Sequence, residues 1–373
     1  MKINLKNVWI KEKKTNIWLI VAVSLLVIIG CVFVYSASSY SASLNYGNKY
    51  YFLTKQIIGV VLGFIMMFFA SKIDYSIYNK YKVVILIVSI VLLALVFIPG
   101  LGVSNYGAKR WIKMPGFTIQ PSEIAKFGFI TFCAGYLANN RDIVKSFRGI
   151  LPILLIGGVI CLLIMLEPNM SITICVGLTM FLMLFIGGAQ IKHFLILAVP
   201  VIALAVVLVI IEPYRMERLV AFINPWKNPQ GEGYQLIQSL YSLSSGGLFG
   251  VGIFNSRQKY LFLPFSESDF IFSIIGEETG FFGCLVLILI FSVVVFQGSK
   301  IAKNAKDRFG CYLASGITFI ISTQVLINIA VVTGSIPPTG VPLPFISTGS
   351  TSLVVFMSAI GVLLNIDKQS RSN

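Results

Sequence analysis

Apolar runs of about twenty residues recur along the whole chain, and they constrain its fold more than any other feature. A helix needs roughly 20 residues, at 1.5 Å each, to cross a hydrocarbon core of about 30 Å. Only 12% of the residues are charged. The pattern therefore predicts an all-α polytopic membrane protein with ten transmembrane helices. The predicted spans are 17–36, 53–71, 83–99, 122–138, 149–166, 170–188, 193–211, 269–298, 309–333 and 346–366.

The net charge of +15 has an uneven distribution that predicts orientation. If the N-terminus is cytoplasmic, 18 of the 29 Lys and Arg residues lie in the inside segments, which are the two tails, Lys192 and the connections 72–82, 141–148 and 300–308. This is the positive-inside pattern, and it places both termini in the cytoplasm. The excess basic charge is accounted for by anionic membrane lipids and gives no reason to expect a nucleic-acid partner.

We expect one integral membrane domain over 1–373, with two long connections on the outer face. The first, 100–121, places Lys109 and Arg110 beside Trp111, a combination that also occurs where a chain is merely anchored at the membrane interface. The second is a large extracellular loop, 212–268, between the seventh and eighth helices, and it is too long for a passive connection.

The large loop combines cations with a glycine-rich turn. Its basic residues include Arg215, Arg218 and Lys259, and GGLFGVG at 246–252 allows close backbone approach. That turn matches a phosphate cradle only weakly, because no strand and helix flank it as in a dinucleotide site. The tract at 236–250 is amphipathic and is expected to lie along the outer membrane surface.

Prolines and glycines interrupt the segment 333–353, TGSIPPTGVPLPFISTGSTSL. Irregular backbone at membrane depth is tolerated only where protein or a water-filled cavity satisfies its polar groups. The segment therefore predicts a cavity that opens to the outside.

Acidic residues near or within apolar spans are costly and mark functional sites by default. Asp269 lies at the outer mouth of its helix, where a buried carboxylate suits a general base near neutral pH. Glu267 is a second candidate. Glu277 and Glu278 lie about 12 Å deeper, and the favoured interpretation is that they pair with cations such as Lys126. No histidine or cysteine cluster predicts a metal site.

These residues alone leave two classes open. One is an enzyme that acts on a lipid-linked phosphate at the outer face, and the other is a transporter or flippase.

Four ordered motifs resemble the SEDS family (shape, elongation, division and sporulation), the membrane glycosyltransferases that include RodA, FtsW and SpoVE. The resemblance covers nearly the whole chain, and the loop sequences SLYSLSSGGLFG and SRQK are closer to the division and sporulation branch. The motifs are GAKRWI with QPSEIAK at 107–126, NPWKNPQGEGYQLIQSLYSLSSGGLFGVGIFNSRQK at 224–259, DFIFSIIGEETGFFG at 269–283 and TGVPLPFIS at 339–347.

The resemblance implies a peptidoglycan glycosyltransferase in the bacterial cytoplasmic membrane, with its active site facing outside. The substrate would be lipid II, the undecaprenyl-pyrophosphate-linked disaccharide pentapeptide, and the product a β-1,4-linked glycan strand. Asp269 would be the catalytic base. A class B penicillin-binding protein, a transpeptidase, would be the partner. A divalent cation, Mg or Mn, could assist, although the sequence has no dedicated cage for one.

The resemblance also suggests substrate contacts. Cations would hold the pyrophosphate or glycan, and Glu123 with Lys126 would organise the cavity as a pair. The candidates are Lys109, Arg110, Arg215, Arg218, Lys259, Glu123, Lys126, Glu267, Glu277 and Ser347.

Two departures from the family pattern bear on the site. Ser266, Glu267 and Ser268 precede Asp269 where the family commonly has histidine and threonine, and the nearby Glu267 carboxylate is expected to raise the pKa of Asp269. Asn169 stands where an aspartate is usual.

A lipid II flippase and a scaffold that only recruits a transpeptidase remain alternatives. The sequence does not distinguish division, elongation and spore cortex synthesis.

Overall fold

The protein is a helical bundle in a computed structural model that describes residues 16–105, 108–114, 117–140, 142–211 and 213–371. Side chains are not described at 104–108, 114–117 and much of 201–215. The lysines of the N-terminal tail, which entered the orientation argument, lie outside the described residues. The helices in the described part are α1 (Ile17–Tyr46), α2 (Tyr51–Lys72), α3 (Ser76–Lys80), α4 (Lys82–Leu95), α5 (Pro121–Asn139), α6 (Phe147–Leu166), α7 (Met170–Ile186), α8 (Ile191–Ile211), α9 (Pro213–Ile223), α10 (Tyr234–Gly246), α11 (Ile271–Lys303), α12 (Arg308–Val332) and α13 (Ser350–Ser370).

Each predicted span coincides with one of the helices α1, α2, α4 to α8 and α11 to α13. Within the described residues, six of them, α1, α2, α6, α11, α12 and α13, are long and apolar enough to cross a membrane. Shorter apolar helices occur at Lys82–Leu95, Met170–Ile186 and Ile191–Pro200. The prediction of a helical, membrane-protein-like fold is therefore confirmed at this coarser level.

Side-chain caps set several helix starts. The Asn16 side chain accepts from the amide of Leu19, and Asp307 accepts from Gly310. Asn169, at the departure from the family pattern, caps α7 by accepting from Ile172. An amide oxygen can fill this N-cap role as an aspartate would, so the fold tolerates the change.

One short connection departs from the all-helical architecture. The connection predicted as an irregular outer loop forms an antiparallel sheet in the order β1 (Gly102–Asn105), β2 (Ala108–Met114) and β3 (Phe117–Ile119). Ile112 on β2 is buried and pairs with Ile119 of β3, whereas Lys113 next to it is exposed. This two-residue alternation, together with cross-strand pairing, favours strands over a loop.

The long connection between α8 and α11 has its own structure. It contains α9 and α10, and α10 covers most of the tract predicted to be amphipathic. One face of α10 is buried against the bundle, where the Ser239 hydroxyl lies 2.8 Å from that of Ser273 on α11 and donates to the Val332 carbonyl of α12. The opposite face carries exposed residues such as Tyr241.

Helix α11 breaks at Gly280, where φ is 67°. The glycine-rich stretch 246–252 docks along this break through four main-chain hydrogen bonds. A Cβ at Gly280 would come within 2.4 Å of the Gly250 nitrogen, so only glycine permits this approach. The bonds are Val251 N to Glu277 O, Gly252 N to Glu278 O, Phe281 N to Gly247 O and Phe282 N to Leu248 O.

Candidate active site

Asp269 lies in the turn that immediately precedes α11. Asn328 of α12 donates both amide hydrogens, to the Asp269 carbonyl at 2.8 Å and to the Val341 carbonyl at 2.6 Å. One side chain therefore joins the turn that carries Asp269 to the proline-rich loop between α12 and α13.

The same loop supports the residues just before Asp269. The Ser347 hydroxyl donates to the Ser268 carbonyl at 2.5 Å and accepts from the Leu343 amide at 2.8 Å. The Thr348 amide donates to the Glu267 carbonyl at 3.0 Å. Ser347, a candidate substrate contact from the sequence, is thus engaged in holding the backbone.

Gly340 passes directly beside the Asp269 carboxylate. A Cβ at this position would lie 3.0 Å from Asp269 Oδ2 and 4.0 Å from the Ser171 hydroxyl of α7. Its φ of +76° is a second reason for glycine there. The proline-rich loop therefore passes beside the Asp269 carboxylate, and the outward cavity expected from its composition stays a prediction.

Two arginines from separate elements act on Asp269. Arg110 of β2 donates to the Glu167 carbonyl at 3.1 Å and also to the Pro168 carbonyl. Arg218 of α9 donates to the Pro338 carbonyl at 3.3 Å. The charges of both guanidinium groups therefore act on the Asp269 carboxylate, which is half-buried.

Burial is the main influence on the ionisation of Asp269 and raises its pKa to about 6. Arg110 and Arg218 oppose this effect, whereas the Glu267 charge adds to it. The Glu267 effect has the direction expected from the sequence. At neutral pH most of the Asp269 carboxyls are ionised and able to accept a proton.

Glu167 joins the site although the sequence analysis did not single it out. It is buried at the end of α6, and neither carboxylate oxygen has a hydrogen-bond partner. Burial raises its pKa to about 8, partly offset by Arg110. Glu167 and Arg110 therefore lie in one electrostatic environment at the end of α6. The signal in the sequence is an acid placed between an apolar span and a proline.

Glu123 and Lys126 form the predicted pair. The ammonium lies 2.9 Å from the Glu123 carboxylate and donates to the Gln324 side chain at 2.9 Å. Gln324 in turn donates to the Pro342 carbonyl at 2.9 Å, and Ser352 donates to Glu123 at 2.9 Å. This buried series of hydrogen bonds connects α5, through Gln324 of α12, to the proline-rich loop.

Of the two acids predicted to pair with cations such as Lys126, neither meets Lys126, whose ammonium pairs with Glu123, but Glu278 does pair with a cation. Glu278 instead pairs with Lys259, whose ammonium lies 3.2 Å away, and accepts from Ser36 at 2.6 Å.

Glu277 collects donors from the loop, namely the Ser256 hydroxyl at 2.5 Å and the Arg257 amide at 2.9 Å. Both acids therefore hold the loop onto α11. The structure does not bring Glu277 or the Lys259 ammonium to the Asp269 carboxylate, and their predicted substrate contacts stay predictions.

The remaining candidates are Lys109 and Arg215. Lys109 is exposed on β2. Arg215 is in α9, and its side chain is not described. Among the described residues, no group of three or more His, Cys, Asp and Glu side chains could hold a metal ion.

Comparisons with known proteins agree with this architecture. The FTSW_RODA_SPOVE family model, described as "Cell cycle protein", matches residues 16–372. The chain is 41% identical over 363 residues to stage V sporulation protein E of Bacillus subtilis (strain 168), covering 97% of this chain and 99% of the relative. It is 39% identical over 356 residues to a probable peptidoglycan glycosyltransferase FtsW of Geobacter sulfurreducens (strain DL-1 / KN400), covering 95% of each.

Solved structures show the same fold. A chain from the structure described as "Structural coordination of polymerization and crosslinking by a peptidoglycan synthase complex" superposes with a TM-score of 0.78 at 24% identity, over 96% of this chain and 99% of the other. Thermus thermophilus rod shape determining protein RodA superposes with a TM-score of 0.71 at 23% identity, over 98% and 99%.

Proposed function

Because this chain belongs to the FtsW, RodA and SpoVE family of cell cycle proteins, we propose that it is a peptidoglycan glycosyltransferase. It polymerises lipid II into β-1,4-linked glycan strands during cell division or sporulation. The observation that carries the proposal is the Asp269 carboxylate, half-buried, held through its backbone and flanked by the charges of Arg110 and Arg218.

Asp269 acts as the general base. The acceptor is the N-acetylglucosamine 4-hydroxyl, a poor nucleophile that needs a positioned proton acceptor. Its oxygen attacks the anomeric carbon of the donor N-acetylmuramic acid as its proton passes to Asp269. The bond from that carbon to the pyrophosphate oxygen breaks, and inversion of the donor's α-linkage produces the β-linkage.

Arg110 and Arg218 hold the departing undecaprenyl pyrophosphate. A guanidinium fork matches phosphate oxygens and stabilises the charge that develops as the bond breaks. Both side chains are already anchored on carbonyl groups, which limits the entropy lost on binding the anion.

We further propose how the protein lies in the membrane. Ten helices would cross the bilayer with both termini in the cytoplasm, and the connection holding α9 and α10 would be extracellular. Asp269 would then face the outer leaflet, where lipid II is polymerised. A class B penicillin-binding protein would cross-link the emerging strand as partner.

The decisive experiment is a polymerisation assay with purified lipid II. The protein is co-purified with its transpeptidase, and glycan length is resolved on a gel. We expect polymer from the wild type. In Asp269→Asn we expect the polymerisation rate to fall by a factor of about 100 or more, since a positioned base typically contributes about 10²- to 10⁴-fold to the rate. Asp142→Asn, the same change at an exposed site, serves as the control and retains activity.

Three results would contradict the proposal in whole or in part. Polymer from an intact Asp269→Asn complex would remove the base from the mechanism. No polymer from the wild-type complex, combined with movement of lipid II between leaflets, would favour a flippase. An inert complex that still recruits its transpeptidase would favour a scaffold.

A further inference from the structure

A cavity of about 280 Å³ lies beside Glu267, outside the arginine-lined part of the site. The end of α1, the start of α2 and the segment 259–267 form its walls. The lining residues are Ser41, Asn45, Tyr46, Phe52, Lys259, Leu261, Leu263, Pro264, Phe265, Ser266 and Glu267.

The polar wall of the cavity is held in place. The Ser266 hydroxyl lies within 3.3 Å of the Ala37 carbonyl and 3.4 Å of Glu267 Oε2, so it ties the segment to α1 and orients the carboxylate. The Lys259 ammonium is occupied by Glu278, and its aliphatic stem is left to line the wall. The carboxylate of Glu267 and the amide of Asn45 remain as the polar groups that can meet a ligand.

The opposite wall is aromatic. Tyr46 stacks on Tyr51 with ring centroids 3.9 Å apart and meets Phe52 edge-on at 5.8 Å. An apolar surface facing a carboxylate and an amide suits a molecule with hydroxyl groups on its rim and C–H groups on its faces. A pyranose ring has this character, and an anionic ligand does not fit beside Glu267.

The cavity lies close in sequence to the proposed base, Asp269, because Glu267 lines its wall. Glu267 is two residues before Asp269, whose ionisation it influences. The cavity is built from α1, α2 and the segment before α11, whereas Arg110 and Arg218 come from β2 and α9. Since the arginines hold the leaving group of the donor, the cavity is the place left for the acceptor.

We propose that this cavity binds the N-acetylhexosamine ring of the acceptor, whose hydroxyl gives its proton to Asp269. The proposal rests on the proposed function. The volume of the cavity lies just below the usual range for ligand sites, about 300 to 1,000 Å³, and suits a single sugar ring. Glu267 and Asn45 would recognise the hydroxyl and acetamido groups, and Tyr46 with Phe52 would pack against the ring.

The test uses the methyl glycoside of the disaccharide N-acetylglucosaminyl-β-1,4-N-acetylmuramic acid. It has a free 4-hydroxyl and no pyrophosphate, so it can accept a glycan but cannot donate one. Its binding to the Asp269→Asn protein in detergent is measured by saturation-transfer NMR. Its KM as an acceptor is measured on active protein at fixed lipid II concentration.

Asn45→Ala removes one polar contact, and Ser41→Phe fills the cavity. We expect the KM and Kd for the disaccharide to rise roughly three- to tenfold in Asn45→Ala, the range for one lost hydrogen bond, and more in Ser41→Phe, with kcat unchanged. Neither change alters charge near the base. Ser43→Ala, on the exposed face of the same helix, is the matched control.

The outcomes separate the two proposals. Unchanged KM and Kd in Asn45→Ala and in a folded Ser41→Phe would overturn the cavity assignment even if polymerisation is normal. If Ser41→Phe fails to fold, Asn45→Ala decides alone. Disaccharide binding that depends on Asn45, together with a wild-type complex that makes no polymer, would sustain the cavity and refute the glycosyltransferase.

Discussion

At the scale of single residues, the environment of Asp269 balances two requirements. A base must hold enough charge to accept a proton, yet burial disfavours that charge. Arg110 and Arg218 limit the rise in pKa, and Glu267 works in the opposite direction. The outcome, a pKa of about 6, matches the working range of a base at neutral pH.

This balance predicts the acidic limb of the pH–rate profile. The base form is lost as pH falls through about 6, so kcat/KM should drop roughly tenfold per unit below that value. In Glu267→Gln a nearby negative charge is removed, which lowers the pKa of Asp269 and moves the limb to lower pH. Initial rates between pH 5 and 8 measure the shift.

Glu232→Gln is the control for that profile, because Glu232 is an exposed acid in the loop after α9. Its limb should coincide with that of the wild type. A Glu267→Gln limb that stays in place or moves to higher pH would show that the Glu267 charge does not act on the base.

At the scale of elements, the broken helix α11 organises the part of the structure that carries Asp269. Its first half begins just after Asp269, and its second half starts beyond Gly280. The loop segment 246–252 is joined to the break by main-chain hydrogen bonds, and Glu277 and Glu278 secure the residues that follow. The loop that carries the wall of the sugar cavity is therefore part of the bundle.

Gly280→Ala should release this loop. The backbone at Gly280 has a positive φ, a conformation that costs residues other than glycine about 1 to 3 kcal/mol. The new Cβ would also clash with the backbone of Gly250. We expect a lower melting temperature in detergent and reduced polymerisation. Gly177→Ala, in helix α7 where a Cβ meets open space, should be neutral or slightly stabilising. Equal melting temperatures for both variants would contradict the account.

Sequence reasoning located the helices well because membrane thickness dictates the length of an apolar run. It missed the small sheet because short alternating segments such as the one around Ile112 give a weak signal. The docking at Gly280 was not predictable, since it is made by backbone groups that leave no side-chain pattern.

The site was predictable only in part, for a related reason. Glu123 and Lys126 are three residues apart on one helix, so their contact follows from helical geometry. Lys259 meets Glu278, and Arg110 meets the end of α6, only after the whole chain has folded. Nothing local in the sequence chooses among the cations available to each acid.

At the scale of the whole molecule, the distribution of charge should decide orientation. Lys and Arg concentrate on the segments assigned to the cytoplasm, and such segments resist translocation. In the proposed topology the site faces outside, where it combines a few cations with acids without a large net charge.

Orientation can be measured by labelling single cysteines with a membrane-impermeant maleimide in a cysteine-free variant. Lys49→Cys, in the exposed connection between α1 and α2, should react in intact cells. Lys306→Cys, in the exposed connection between α11 and α12, should react only after permeabilisation. Labelling of both from the same side, or in the reverse order, would refute the proposed topology.

The clamp on the turn before α11 has a consequence for how a polymer grows. Asn328, Ser347 and Thr348 bind successive carbonyl groups around Asp269, so the base is stationary within the bundle. A stationary base cannot follow the end of a lengthening strand. After every addition the strand itself must therefore advance by one disaccharide, and the next lipid-linked unit must enter the place that it vacates.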